Sequence, residues 1–165
     1  MALREYALDQ LIPHRNGMRL IDRLLSANPR EAITEATPTE HWPLRQSNHI
    51  SSLVAVEISA QTAGILVGNQ ARQIKGASLH GKGWLVGIKQ AAFHQDHFQI
   101  GTTLRIHAHL GFSYQTFHEV ASNVFVNEKP VANIMLQVFW LETDRGRHFA
   151  WQRLTEHRPK GERSP

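Results

Sequence analysis

The sequence predicts an α+β fold: one long apolar helix lying against a largely antiparallel sheet. Three observations carry this prediction. The stretch from Leu53 to Val67 (LVAVEISAQTAGILV) has helical length, and ten of its fifteen residues are aliphatic or alanine. They do not fall on one stripe, so a helix here needs cover on most of its sides. After Gly76, Gly81 and Gly83 the chain becomes strand-like, in runs separated by turn signals. A chain of 165 residues suits one domain, and at that length about 70% of the unfolded surface can be buried, enough to enclose a helix.

Taken in order, residues 18–26 (MRLIDRLLS) read as a short apolar strand. Residues 31–37 alternate enough to be its neighbour, with Asn28-Pro29 as the turn between them. A polar loop, 39–52, leads to the helix, for which Ser51 or Ser52 is the expected N-cap and Gln73 the approximate end. Four further strands are expected at 84–93, 103–112, 117–126 and 131–141, the last two joined by a turn at Asn127-Glu128-Lys129-Pro130. One sheet can cover such a helix only by curling round it and meeting a second copy or another layer, so a homodimer or larger homo-oligomer is expected. Residues 1–150 form the single domain of this reading, and 151–165 a flexible basic tail.

Composition excludes several classes. Without cysteine there is no disulfide framework, thiolate metal site or cysteine nucleophile, which suits a reducing cytosol. The N-terminus (MALREYALDQLIPHR) is charged early and has no apolar core, and the longest apolar stretch is too short for a bilayer and contains Glu57, so a cytoplasmic protein with no membrane association is expected. The basic residues behind the net charge of +4 are scattered except in the tail, which reads as solvated rather than as a nucleic-acid site, and a mildly basic surface also suits an acidic protein partner. There is no glycine-rich phosphate loop and no Gly-x-Ser-x-Gly motif. Arg105, His107 and His109 alternate as on a half-exposed strand whose buried face is Leu104, Ile106, Ala108 and Leu110, so no metal or cofactor is expected. His94, Asp96 and His97 read as a solvated or carrier-facing loop, and Trp140 and Trp151 with Phe139 and Phe149 as core and interface packing.

Glu57 is the main functional clue. A carboxyl set among apolar residues is pushed toward its protonated form, which keeps a general acid available near neutral pH. Gln61, four residues on, lies on the same face within hydrogen-bonding reach. The alternative is a structural glutamate paired with a distant arginine.

Three segments resemble the 3-hydroxyacyl-ACP dehydratases of bacterial fatty-acid synthesis, in the family's order and near its spacing. IPHRNGMRLIDR (12–23) is similar to PHRYPFLLVDR; EISAQTAGIL (57–66) is similar to the helix EAMAQAAGIL; and VGIKQAAFHQDHFQIGTTL (86–104) is similar to VGIDxxRFRRPVxPGDxL. The second segment also resembles the dehydratase-like subunits of aryl-polyene clusters. The resemblance implies a hotdog fold, a curved antiparallel sheet wrapped round one central helix, with Glu57 as the catalytic carboxyl and Gln61 as its glutamine. The fatty-acid enzymes place a histidine fourteen residues before the glutamate, where this chain has Pro43. His41, followed by Trp42-Pro43-Leu44, is the nearest candidate and His49 the alternative. His14 and Arg15 match the motif but stand outside the family's catalytic pair, with Arg15 or Arg23 expected to anchor Asp22.

The activity so implied is dehydration of a 3-hydroxyacyl thioester on a phosphopantetheine arm of acyl carrier protein. A histidine of one protomer would act as base and Glu57 of the other as acid. The Ser52 amide at the helix N-terminus would receive the thioester carbonyl, and the backbone at Gly87 would line the acyl tunnel. Two other readings follow from the same likeness: a non-catalytic subunit that binds an acyl carrier or partners a related active hotdog chain, and an acyl thioesterase.

Overall fold

The computed structural model describes residues 8–75 and 81–142. The expected tail, Phe149, Trp151 and the break at Gly76 lie outside the described residues.

The expected helix is α2, Val54–Lys75, preceded by a short α1 (Leu8–Leu11) and a single 3-10 turn at Asn16–Met18. Around it runs a six-stranded antiparallel sheet. In chain order its strands are β1 (Arg23–Asn28), β2 (Glu31–Ala36), β5 (Gly81–Phe93), β7 (Leu104–Tyr114), β8 (Phe117–Val126) and β9 (Lys129–Glu142), in the spatial order β1-β2-β7-β8-β9-β5. A small second sheet, β3 (Arg45–Gln46), β4 (His49–Ser51) and β6 (His97–Gln99), forms inside what reads as loop. This is the hotdog arrangement the sequence predicts.

Alternation on β7 and β8 sends Leu104, Ile106, Ala108, Val120 and Val124 inward against α2, while Arg105, His107 and His109 take the outer face. Asn127 and Glu128 both have positive φ, as a two-residue hairpin turn requires, so Lys129 and Pro130 belong to β9 rather than to the turn. Two buried hydroxyl pairs link helix to sheet: Ser122 Oγ donates to Ser59 Oγ at 2.9 Å, and the Thr34 and Thr62 Oγ1 atoms lie 2.8 Å apart. At the far end, the Trp140 indole fills the space a side chain would take at Gly68 and Gly81. A Cβ would come within 3.0 Å and 2.5 Å of it respectively; at Gly81 it would also meet the Leu141 carbonyl at 2.8 Å, so that position needs glycine, while at Gly68 the indole would have to shift.

Two local expectations change. Residues 18–22 are not strand: Leu20 and Ile21 are buried under α2 and the ladder starts at Arg23. Arg23 pairs with Glu35 rather than Asp22, and Arg105 takes the other Glu35 oxygen at 3.2 Å. Burial works to raise the Glu35 pKa, but the hydrogen bonds and charges of the two arginines outweigh it and hold the carboxyl below its usual value.

His118 is buried on the inner face of β8, its Nδ1 2.9 Å from Ser113 Oγ, and burial holds its pKa below the usual histidine value. Below about pH 6.5 the unfolded chain therefore takes up a proton that the folded chain resists, and stability is expected to fall as pH drops from there toward the folded-state value. Urea midpoints between about pH 8 and about pH 5 test this. His118→Asn should flatten the acid side of the profile, and an unchanged slope would remove His118 from the account.

Candidate active site

Successive helix residues turn by about 100°, so Ala55, Ser59, Thr62 and Leu66 share the sheet-facing side of α2, and all are buried. The opposite side carries Val56, Glu57, Ala60 and Gly64, all only partly covered, with Leu53 just ahead of them 55% exposed. The enclosure expected on most sides is thus supplied by the sheet and by the N-terminal segment, where Ile12 lies over Gly64. One stripe stays open within the single chain, and Glu57 sits in its middle with its side chain 34% exposed.

Gln61 orients that carboxylate. It is fully buried, and every polar atom of its amide is engaged. Its Oε1 accepts the Leu20 backbone N–H at 3.0 Å; its Nε2 donates to Met18 O at 2.7 Å and to Glu57 Oε1 at 2.8 Å. Flipping the amide would set donor against donor at Leu20, so the network itself decides which atom faces Glu57. The two motifs that lie forty residues apart in sequence therefore meet at one point.

They meet at a third residue as well. The His14 ring reaches the same carboxylate oxygen, with Nε2 at 3.4 Å from Glu57 Oε1 and the side chain about one-third exposed. Arg15 braces this turn, its Nη1 donating to the carbonyls of Ile12 and His14 at 2.7 and 2.8 Å. Sequence reading set His14 aside, and its only signal was its place in the first motif.

The other candidates are spread more widely. His41 projects from the loop before β3, its side chain 83% exposed and Nε2 3.8 Å from Glu40 Oε1. His49 lies in β4 with its ring 4.3 Å from that of His97. Neither contacts Glu57 within the chain. The Ser52 amide, expected to be free for a substrate carbonyl, is bonded to Asp96 O at 3.0 Å. The next N–H, that of Leu53, makes only a long 3.4 Å contact with Ser51 Oγ and is the more available donor at this helix start. Gly87 turns its missing side chain toward Gln137 on the outer face, where a Cβ would stand 2.6 Å from the mobile end of the Gln137 side chain. The His107 ring packs at a tilt against Phe125, centroids 4.9 Å apart, and His109 Nδ1 is 3.9 Å from Glu31 Oε1, both on the outer face. An open cleft of about 580 Å³ lies there between Arg105, His107, Phe125 and the Asn127-Glu128 turn. It is on the side of the sheet away from α2, and the geometry around Glu57 is the better guide to the chemistry.

A sheet wrapped round one long helix, with an oriented carboxyl on the helix's open face, defines a hotdog protein equipped for acid–base chemistry. The chain belongs to the ApeP-like family: the family model, described as ApeP dehydratase, matches residues 6–147, and membership makes it a dehydratase, a lyase that eliminates water. A 3-hydroxyacyl-[acyl-carrier-protein] dehydratase FabZ of Rickettsia rickettsii is 33% identical over 105 residues, 59% of this chain and 68% of the relative. The ApeI:P dehydratase heterocomplex of Xenorhabdus doucetiae contains a chain that superposes with a TM-score of 0.74 at 18% identity, covering 86% of this chain and 94% of that one. A hypothetical thioesterase of Streptococcus pneumoniae, seen with coenzyme A, superposes with a TM-score of 0.55 at 10% identity over 73% of this chain and 86% of its own. Likeness at such identities establishes the fold and leaves the chemistry to the family.

Replacing Gln61 by leucine strips the Leu20 N–H and Met18 carbonyl of their buried partner. A loss of about 1–3 kcal/mol in urea unfolding is expected. Gln61→Glu keeps an acceptor for Leu20 but sets an oxygen against the Met18 carbonyl and the Glu57 carboxyl, so it should lose at least as much, and a clearly smaller loss would contradict the assignment.

Proposed function

We propose that the protein dehydrates 3-hydroxyacyl thioesters carried on acyl carrier protein, giving trans-2-enoyl thioesters. The observation that carries this reading is the Glu57 carboxyl, held by Gln61 on the open stripe of the helix in a chain of a dehydratase family. A base takes the C2 proton, Glu57 protonates the C3 hydroxyl, and the C3–O bond breaks to release water as the double bond forms. Negative charge developing on the thioester oxygen lies beside the first turn of α2, where the Leu53 N–H and the helix dipole favour it. Dehydration outranks thioester hydrolysis because family membership, rather than fold alone, points to it.

The base in this reading is His41 of a second hotdog chain, with His49 the alternative. High exposure leaves His41 able to reach a neighbour, whereas His49 is engaged with His97. A second chain is called for on physical grounds. Among the described residues strand β5 ends the sheet with one edge unpaired, and Trp84, Leu85, Val86 and Ile88 on it are 44–53% exposed. An edge this long and apolar invites pairing with another strand. We assign that place to a second copy or to a related hotdog chain. A cytosolic location completes the proposal. It fits a cysteine-free chain in which no described helix is long and apolar enough to cross a membrane.

Purified protein given a 3-hydroxyacyl or trans-2-enoyl carrier-protein substrate should interconvert the two, and Glu57→Gln should lower kcat by about a hundredfold or more. Wild-type protein inert alone and with related hotdog subunits would defeat the reading. Mixing Glu57→Gln protein with His41→Ala protein should restore part of the activity, since mixed pairs rebuild one intact site. Two inactive proteins that stay inactive after subunit exchange would show that His41 does not serve across chains.

A further inference from the structure

We infer that His14 is the positioning residue for Glu57: its Nε2–H and the Gln61 amide together occupy Glu57 Oε1, so that the acidic proton is carried on Oε2. This rests on the dehydratase reading and adds to it a residue that neither the helix nor the candidate histidines supply.

The argument turns on the two ring nitrogens. Nε2 faces the carboxylate oxygen at 3.4 Å, while Nδ1 is buried with no hydrogen-bond partner among the described residues. A buried N–H without an acceptor is rarer and costlier than a buried lone pair without a donor. The tautomer that fits therefore carries its hydrogen on Nε2 and leaves Nδ1 bare. In that form His14 is a donor toward Glu57. It is a poor general base, because using the Nε2 lone pair, or adding a second proton, would leave an N–H at Nδ1 facing no acceptor. Proximity alone would have made His14 the base; the buried nitrogen excludes that and leaves the post to a histidine from elsewhere.

The consequence for Glu57 is geometric. Oε1 already accepts the Gln61 N–H at 2.8 Å, and a second donor from His14 makes it the oxygen least suited to hold a proton of its own. The 3.4 Å separation is long for a hydrogen bond, and a shift of a few tenths of an ångström closes it, as catalytic contacts do when substrate binds. Protonation then falls on Oε2, and the acid reaches the C3 hydroxyl in one orientation instead of two. Arg15, braced on the Ile12 and His14 carbonyls, holds the turn that aims the ring.

The first test is independent of turnover. In protein labelled with ¹⁵N-histidine at neutral pH, NMR should find His14 with a proton on Nε2 and an unprotonated Nδ1, and Glu57→Gln should move the Nε2–H resonance. A proton on Nδ1, or a resonance indifferent to Glu57→Gln, overturns the inference even if the protein proves inactive. The second test is kinetic. His14→Phe keeps an aromatic ring without the donor and should lower kcat by about tenfold to a hundredfold with KM within about twofold. His14→Gln, whose amide nitrogen reaches the place of Nε2, should recover most of that loss, with urea midpoints confirming that both variants are folded. If Glu57→Gln abolishes activity while His14→Phe leaves kcat unchanged, or if His14→Gln is as damaged as His14→Phe, positioning by His14 is wrong and the dehydratase reading stands. If the wild-type enzyme shows no dehydration, that reading falls, and the tautomer experiment alone decides the role of His14.

Discussion

The primary amide of Gln61 has one acceptor oxygen and two hydrogens, and each has a fixed destination. The oxygen takes the Leu20 N–H, one hydrogen goes to Met18 O, and the other goes to Glu57 Oε1. Two of these bonds attach the N-terminal segment to α2, and the third aims the acid. Folding of that segment and orientation of the carboxyl are thus one event, since a buried amide has no water to replace a missing partner. His14 reaches Glu57 because Met18 and Leu20, a few residues on, are tied to the same amide.

The helix and strands β2, β5, β7, β8 and β9 were legible because their patterns are regular. Strands β8 and β9 follow from alternation and the turn signal at 127–130, of which only the first two residues form the turn, and α2 from an apolar run too wide for a stripe. The small sheet was not legible. Its strands are two and three residues long, and only Ile50 and Phe98 turn inward, at most one apolar residue per strand and too few to show a period, so only tertiary pairing makes them strands. The segment 18–22 misled for the opposite reason. It has the apolar content of a strand, but the Leu20 N–H is taken by Gln61 rather than by a ladder.

Site residues divide along the same line. Glu57 and Gln61 are one turn apart on one helix, and that relation is written in the spacing. The contact of His14 with Glu57 spans forty-three positions and joins a loop to a helix, and no periodicity encodes it. Ser52 was read as an open amide because the helix start is local and legible, whereas its bond to Asp96 comes from the loop before β6, about forty residues later. Elements of regular structure announce the residues they carry. They do not announce which loop atoms will occupy their ends.

Why the acid should sit at position 57, and not a residue to either side, follows from how α2 is fixed about its own axis. The Ser59–Ser122 and Thr62–Thr34 pairs are buried, directional and on the sheet side, so rotating the helix would break both and leave hydroxyls unpaired in the core. Apolar contacts alone would tolerate such rotation, because the helix is apolar over most of its circumference. With Ser59 and Thr62 held against the sheet, about 100° per residue places Glu57 roughly opposite them, on the side the sheet leaves uncovered. A carboxyl at Ile58 would be driven toward the fully buried core, and one at Val56 would lose the four-residue spacing to Gln61. Position 57 satisfies both requirements: it faces the open stripe and is one turn from the amide that orients it.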